Sequence, residues 1–265
     1  MMAVIETASG AASDVGRARD LNEDAICLAP PVFAVADGMG GHAAGEVAAS
    51  LALEQLSRLA GREDLEPSDL LAAIEAGNDA ILAWSADRTE TVGMGTTLTG
   101  VCLGSIANSP HWFVFNIGDS RVYRLISGVL TRVTVDHSEV EELVTAGTIS
   151  VDAARSHPRR NVVTRSLGTD PAPVPDIWVL PASEGDLFMI CSDGLPLEVA
   201  EADMAAAIAR GDSPQETADA LVQMALAGGG RDNVSVVIVC VPAEHTINAA
   251  DVSTAPRPHI EGGLA

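Results

Sequence analysis

The chain has 265 residues, 47% of them apolar, and carries 37 acids against 15 bases for a net charge of −22. That length suits one large domain with a closed core, and the lack of a basic excess argues against nucleic acid as a partner. Every base is arginine, which excludes a P-loop lysine, a Schiff-base lysine and a lysine general base.

Residues 1–10 have neither the positive n-region nor the apolar h-region of a secretory signal. No apolar run approaches the roughly 18 to 20 residues that cross a bilayer, so a cytoplasmic protein without direct membrane insertion is expected. Strand-like runs come first, at 24–28 and 32–36, followed by two helical blocks at 42–59 and 67–86, the second with Pro67 in its first turn. Further strands are expected at 97–103, 112–116, 122–126 and 129–133. The polar stretch 137–168 has short helical patches and is too long for a hairpin loop, so it reads as a lid or flap. Strands at 177–180 and 187–191 follow, then helices at 199–210 and 213–227 and a last strand at 234–241. Ser213-Pro214-Gln215-Glu216 supplies an N-cap, a first-turn proline and a capping-box acid. After Pro242 periodicity is lost, so 1–242 is the expected folded domain and 243–265 an expected disordered tail.

Strict βαβ alternation is absent, which disfavours a doubly wound parallel sheet. Two sheets with a helical pair on each outer face fit this order better. Several strands are uninterrupted apolar runs, as expected of strands buried on both faces. Cys27, Cys102, Cys191 and Cys240 are far apart, form no CxxC and read as small buried hydrophobes rather than zinc ligands.

Acids recur at strand ends, three of these stretches with glycine beside the acid: Asn22-Glu23-Asp24, Asp37-Gly38-Met39-Gly40-Gly41-His42, Gly118-Asp119-Ser120-Arg121, Ser192-Asp193-Gly194 and Arg231-Asp232-Asn233. One such Asp means a turn or a cap, whereas several arriving from separate strands can meet at one point. Oxygen donors without His or Cys favour Mg²⁺ or Mn²⁺ over zinc. An EF-hand reading of Asp20 to Asp24 fails, since Ala25 stands where that loop needs glycine and Pro31 where it needs glutamate. No G-x-G-x-x-G, G-x-S-x-G or H-E-x-x-H occurs. Arg17 reads as a surface arginine; Arg19, beside the first acidic cluster, is suited to a bidentate grip on phosphate.

Taken in order, Arg17-x-Arg19-x-x-Asn22-Glu23-Asp24, Asp37-Gly38-Met39-Gly40-Gly41-His42-x-x-Gly45-Glu46, Gly93-Met94-Gly95-Thr96-Thr97-Leu98, Ile117-Gly118-Asp119-Ser120-Arg121, Asp136-His137-Ser138, His157-Pro158-x-x-Asn161, Cys191-Ser192-Asp193-Gly194 and Gly229-Gly230-x-Asp232-Asn233 resemble the bacterial metal-dependent serine/threonine protein phosphatases of type 2C. The resemblance implies an α+β fold, a central β-sandwich of two antiparallel sheets flanked by helical pairs in four αββα layers. It implies hydrolysis of phosphoserine and phosphothreonine in proteins by a water bridging two divalent ions, Mn²⁺ or Mg²⁺, with a weaker third. Asp37 would bridge the two ions, Asp193 and Asp232 would complete one, and Glu23 with the carbonyl of Gly38 would serve the other. Asp24 would hold metal-bound water, with Asn233 also behind the ligands. Arg19 would bind the substrate phosphate, and Asp119 with Asp193 would hold the third ion beside the flap. The expected partners are phosphorylated proteins, a serine/threonine kinase among them, and the expected state is a monomer.

The chain departs from the pattern twice. Some members carry histidine directly after the Asp-Gly pair as a proposed general acid; here Met39 stands there, and His42 is the remaining candidate, weighed against a packing role at a helix start. After Leu195 come Pro196 and Leu197 in place of the usual Thr or Ser and then Asp. A binding module without catalysis should lack the metal carboxylates, and this chain keeps them; a purely structural cation domain gives Arg19 no purpose. The acidic surplus predicts a preference for phosphosites flanked by basic residues.

Overall fold

The computed structural model describes residues 5–40, 44–88 and 93–242. Two antiparallel sheets lie face to face. One runs β1 (Ala8–Asp14), β11 (Val234–Cys240), β10 (Leu187–Cys191), β7 (Arg121–Ile126), β8 (Val129–Arg132). The other runs β2 (Asp24–Ala29), β3 (Val32–Met39), β5 (Leu98–Ile106), β6 (Ser109–Ile117), β9 (Asp176–Pro181), with the short β4 (Gly95–Thr96) paired to the end of β3.

Side-chain alternation sorts the apolar runs into three core layers. Phe33 and Val35 of β3, Val101, Trp112 and Val114 face Phe188, Ile190, Val237 and Val239 between the sheets. The intervening Val32, Ala34 and Ala36, with Cys102, Phe113 and Phe115, face outward onto α1 (Ala44–Ser57) and α2 (Pro67–Ser85). On the opposite side Met189, Cys191, Val236 and Ile238 face α6 (Glu201–Ile208) and α7 (Pro214–Gly228). Continuous apolar runs therefore mean antiparallel strands covered on both faces, and the expected four-layer α+β architecture is the one observed.

Local details follow the chain chemistry. The Ser213–Glu216 capping box starts α7, with Pro214 in its first turn. Residues 137–168 fold into two short helices, α3 (Glu139–Thr145) and α4 (Val151–Arg155), whose N-caps are Ser138 and Ser150. The helix expected over 199–210 begins later, because α5 (Gly194–Glu198) forms as a separate turn directly behind β10. The strand β1 has no apolar run to mark it, its sequence being Ala-Ser-Gly-Ala-Ala-Ser. Its residues are small because α7 presses on it: a Cβ on Gly10 would stand 2.3 Å from the backbone nitrogen of Gln215. The Gln215 amide also bonds Ala11, donating to its carbonyl at 2.8 Å.

Cys27, Cys102 and Cys191 are buried and Cys240 half-buried, all as free thiols. Burial pushes the thiols of Cys102 and Cys191 up to about 12, which leaves them unreactive. Among the described residues no helix is long and apolar enough to cross a membrane. The tail expected over 243–265 lies outside the described residues.

Candidate metal and phosphate site

Antiparallel pairing brings five strand ends to one edge of the sandwich. Asp37, near the end of β3, stands opposite Asp24, the first residue of β2. Asp119 lies between β6 and β7, Asp193 just past β10 and Asp232 just before β11. Glu23, Asp37, Asp119, Asp193 and Asp232 line a single cleft of about 230 Å³ together with Arg19, Gly38 and Asn233. Asp24 sits buried behind it, and His42 lies outside the described residues.

Backbone and side-chain bonds fix this edge. The Asp37 N–H donates to Thr97 Oγ1 at 2.9 Å, while the Thr97 N–H donates to the Asp37 carbonyl at 2.9 Å. Asn233 accepts the Glu23 N–H on Oδ1 and donates from Nδ2 to the carbonyls of Val15 and Leu21, each at 2.9 Å. The Ser192 hydroxyl donates to Asp24 Oδ2 at 2.7 Å and accepts the Ser235 N–H at 2.9 Å. Arg231 pairs with the buried Glu198 at 2.8 Å, tying the end of α5 to the turn that carries Asp232. Thr97, Ser192, Ser235 and the Glu198–Arg231 pair thus position the acids. Sequence reasoning gave them no such part, because hydroxyls at strand ends are common and their partners are distant in the chain.

Close approach explains two glycines. A Cβ on Gly38 would stand 2.1 Å from the Gly45 carbonyl oxygen, and one on Gly45 would stand 2.5 Å from Glu23 Oε1. The start of α1 therefore packs directly against the Glu23 carboxylate and the Gly38 backbone. Alanine ordinarily strengthens a helix by about 1 kcal/mol over glycine. Here Gly45→Ala is expected to do the reverse, lowering stability by about 1–3 kcal/mol through overpacking. Urea unfolding of wild type and variant measures this; an unchanged or higher midpoint would contradict it.

Electrostatically the cleft is an unbalanced cluster. Burial, then Asp24, Asp193, Asp119 and Asp232, push the Asp37 carboxyl well above its ordinary value. Burial and Asp193 raise Asp119 to about 8, burial and Asp232 raise Asp193 to about 6, and burial foremost raises Asp24 to about 7. Arg19 donates from Nη2 to Asp232 Oδ2 at 2.9 Å, and its guanidinium is half exposed at the mouth. Burial alone would lower its pKa, but Asp232, Asp37 and Asp193 hold it above the ordinary value.

The residues fit divalent cations on three counts. Glu23 Oε1 and Asp24 Oδ1 are buried oxygens without a hydrogen-bond partner, and such atoms are costly unless a donor or cation meets them. The acids raise one another through like charge, which a cation reverses. The donors are all oxygen. Among the described residues no three such side chains draw together closely enough to enclose one ion, so the acids ring the cleft rather than form a closed cage. Asn161 and Val163 reach the cleft from the 137–168 segment, and Met39 lines it from β3. The root of that segment is fixed by His137, which accepts the Gly118 N–H on Nδ1 at 3.0 Å and meets Asp176 through Nε2 at 3.1 Å.

A family model described as protein phosphatase 2C matches residues 18–226. The serine/threonine protein phosphatase PstP of Mycobacterium tuberculosis is 41% identical over 239 residues, 87% of this chain but 44% of that protein, so the chain spans under half the length of that relative. The serine/threonine phosphatase stp of Listeria innocua is 36% identical over 239 residues, 86% of this chain and 93% of that protein. The structure of the M. tuberculosis phosphatase PstP/Ppp matches with a TM-score of 0.83 at 38% identity, over 89% of this chain and 99% of that one. The catalytic domain of PstP in complex with two manganese ions matches with a TM-score of 0.81 at 37% identity, over 89% and 99% of the two chains.

Proposed function

This chain belongs to the protein phosphatase 2C family, and on that premise we propose that it hydrolyses phosphoserine and phosphothreonine in proteins with the help of two divalent cations. One observation carries the reading. Glu23, Asp37, Asp119, Asp193 and Asp232 meet in a cleft whose mouth is held by a single arginine, Arg19. Such an arrangement pairs cation-binding oxygens with a donor for phosphate.

Asp37 would bridge the two cations, Asp193 and Asp232 would complete one, and Glu23 with the Gly38 carbonyl would serve the other. Asp119 with Asp193 would take a weaker third. Bound there, Mn²⁺ or Mg²⁺ supplies the positive charge that keeps these acids ionised and makes water nucleophilic towards phosphorus near neutral pH. The chain's own residues do the positioning. The Gly38 N–H donates to the Glu23 carbonyl at 3.1 Å, and the Asn233 side chain holds the Glu23 N–H, so the backbone of both residues on that side is fixed. Arg19 keeps one edge on Asp232 and has further N–H donors for phosphate oxygens, which gather charge in the transition state. Asp24, held by Ser192, stands behind the ligands as an acceptor for water.

The proposed substrates are phosphorylated proteins, a serine/threonine kinase among them. The proposed setting is the cytoplasm, a reducing compartment that suits four free cysteines. The reading is tested by phosphate release from a phosphothreonine peptide with Mn²⁺. Arg19→Ala is expected to lower kcat/KM about 10- to 100-fold, with Arg19→Lys restoring only part of the loss, because a point charge does not replace a planar fork. A wild-type chain that releases no phosphate would overturn the proposal.

A further inference from the structure

Next to the cleft lies a larger groove of about 760 Å³, between the 137–168 segment and the α5–α6 region. Its size falls within the about 300–1,000 Å³ typical of ligand clefts. Asp119, Asn161 and Asp193 line both cavities, so the groove opens directly from the phosphate site. Val140 and Val144 of α3 form one apolar wall, and Pro196 and Leu197 of α5 form another. The replacement of the family's polar pair by Pro196-Leu197 thus lands on this wall.

Asp119 and Asp193 belong to the acidic cluster of the cleft, and most of the other charges in the groove are already matched. Arg121 pairs with Asp136 at 2.6 Å, Arg132 with Asp136 and Glu141 at 3.4 and 3.1 Å, and Arg231 with Glu198 at 2.8 Å. Glu201 accepts the Tyr123 hydroxyl at 3.1 Å. Among the arginines lining the groove, Arg155, at the end of α4, and Arg160 are the exception. Both line the groove, both are exposed, and among the described residues neither guanidinium has a hydrogen-bond or ion-pair partner. An acidic protein thus presents two uncommitted cations beside its phosphate site.

We propose that this groove receives the polypeptide flanking the phosphorylated residue, and that Arg155 and Arg160 select aspartate or glutamate side chains in it. The proposal rests on the phosphatase reading above and names the substrate class within it. It runs against the basic flanks that the net charge of −22 suggests. That surplus acts as a distant field, screened over about 8 Å at physiological salt. The two guanidiniums would act at contact, where an arginine fork meets a carboxylate edge to edge. The apolar walls would take the uncharged part of the same segment. Arg155 and Arg160 are specificity residues here, with no part in the reacting atoms.

The test compares phosphothreonine peptides of equal length carrying two Glu, two Gln or two Arg on either side of the phosphoresidue, hydrolysed by the whole chain with Mn²⁺. The glutamate peptide is expected to exceed the glutamine peptide in kcat/KM by about three- to tenfold on one side, mainly through KM, as two exposed ion pairs allow. The advantage should shrink at high salt. In R155Q/R160Q the Glu-to-Gln ratio should approach one, and in R155E/R160E the arginine peptide should become the preferred substrate. Equal rates, a wild-type preference for arginine, or a ratio that survives the double substitution would overturn the proposal while leaving the phosphatase reading intact. Hydrolysis of none of the peptides would remove that reading and this proposal with it.

Discussion

Asp37→Asn is expected to lower turnover of a phosphothreonine peptide on the order of 10³-fold while raising the melting temperature of the chain in chelator. Both effects come from one feature. Burial foremost, and then the surrounding Asp24, Asp193, Asp119 and Asp232, push the Asp37 carboxyl well above its usual range. A neutral amide of the same shape removes both the cost of burying a charge and the repulsion, and the bonds of the Asp37 backbone to Thr97 keep the strand in place. The same exchange removes the carboxylate proposed to bridge two cations, so activity falls as stability rises. The stabilisation that Mn²⁺ gives the wild type should fall in parallel. A variant that keeps its turnover, or that is less stable than wild type in chelator, would contradict this account of Asp37.

The second large effect concerns pH. In chelator, stability is expected to fall as pH rises from about 5 to about 8, by on the order of 10 °C in Tm. Asp193, Asp24 and Asp119 are raised to about 6, 7 and 8, above the roughly 3.9 of an unfolded aspartate. Across that window the native state still holds protons that the unfolded chain has released, so the slope of stability with pH is negative. The carboxylates shifted the other way, Asp69, Asp176, Glu198 and Glu216, add stability that is lost only below about pH 4 and leave the window alone. Saturating Mn²⁺ should flatten the slope by replacing protons with cations. Calorimetry at fixed ionic strength decides this; a chain that grows more stable towards pH 8 in chelator would contradict it.

Much of this architecture is legible in the residues. Uninterrupted runs such as Val32 to Ala36 and Val236 to Val241 show strands covered on both faces, and Ser213-Pro214-Gln215-Glu216 marks the start of α7. The acids could be found because each is costly at a strand end, and Asp37, Asp119 and Asp193 also sit beside glycine. What stayed hidden depends on contacts between distant segments. The small residues of β1 read as loop until α7 is seen pressing on Gly10. The hydroxyls of Thr97 and Ser192 look like ordinary strand-end residues until Asp37 and Asp24 stand against them. Arg155 and Arg160 look like solvated surface charge until the groove places them beside Asp119 and Asp193 while the other groove arginines are paired.

The most direct measurement is phosphate release from a phosphothreonine peptide by wild type and Asp193→Ala, each with Mn²⁺ and with chelator. Asp193 lines the cleft and lies past the last residue of β10, so its removal leaves the sheet pairing untouched. Turnover by the wild type with Mn²⁺ alone, with Asp193→Ala reduced on the order of 10²-fold or more, is the expected result. Turnover by wild type in chelator, or equal turnover by both proteins with Mn²⁺, would contradict a cation-dependent site built on these acids.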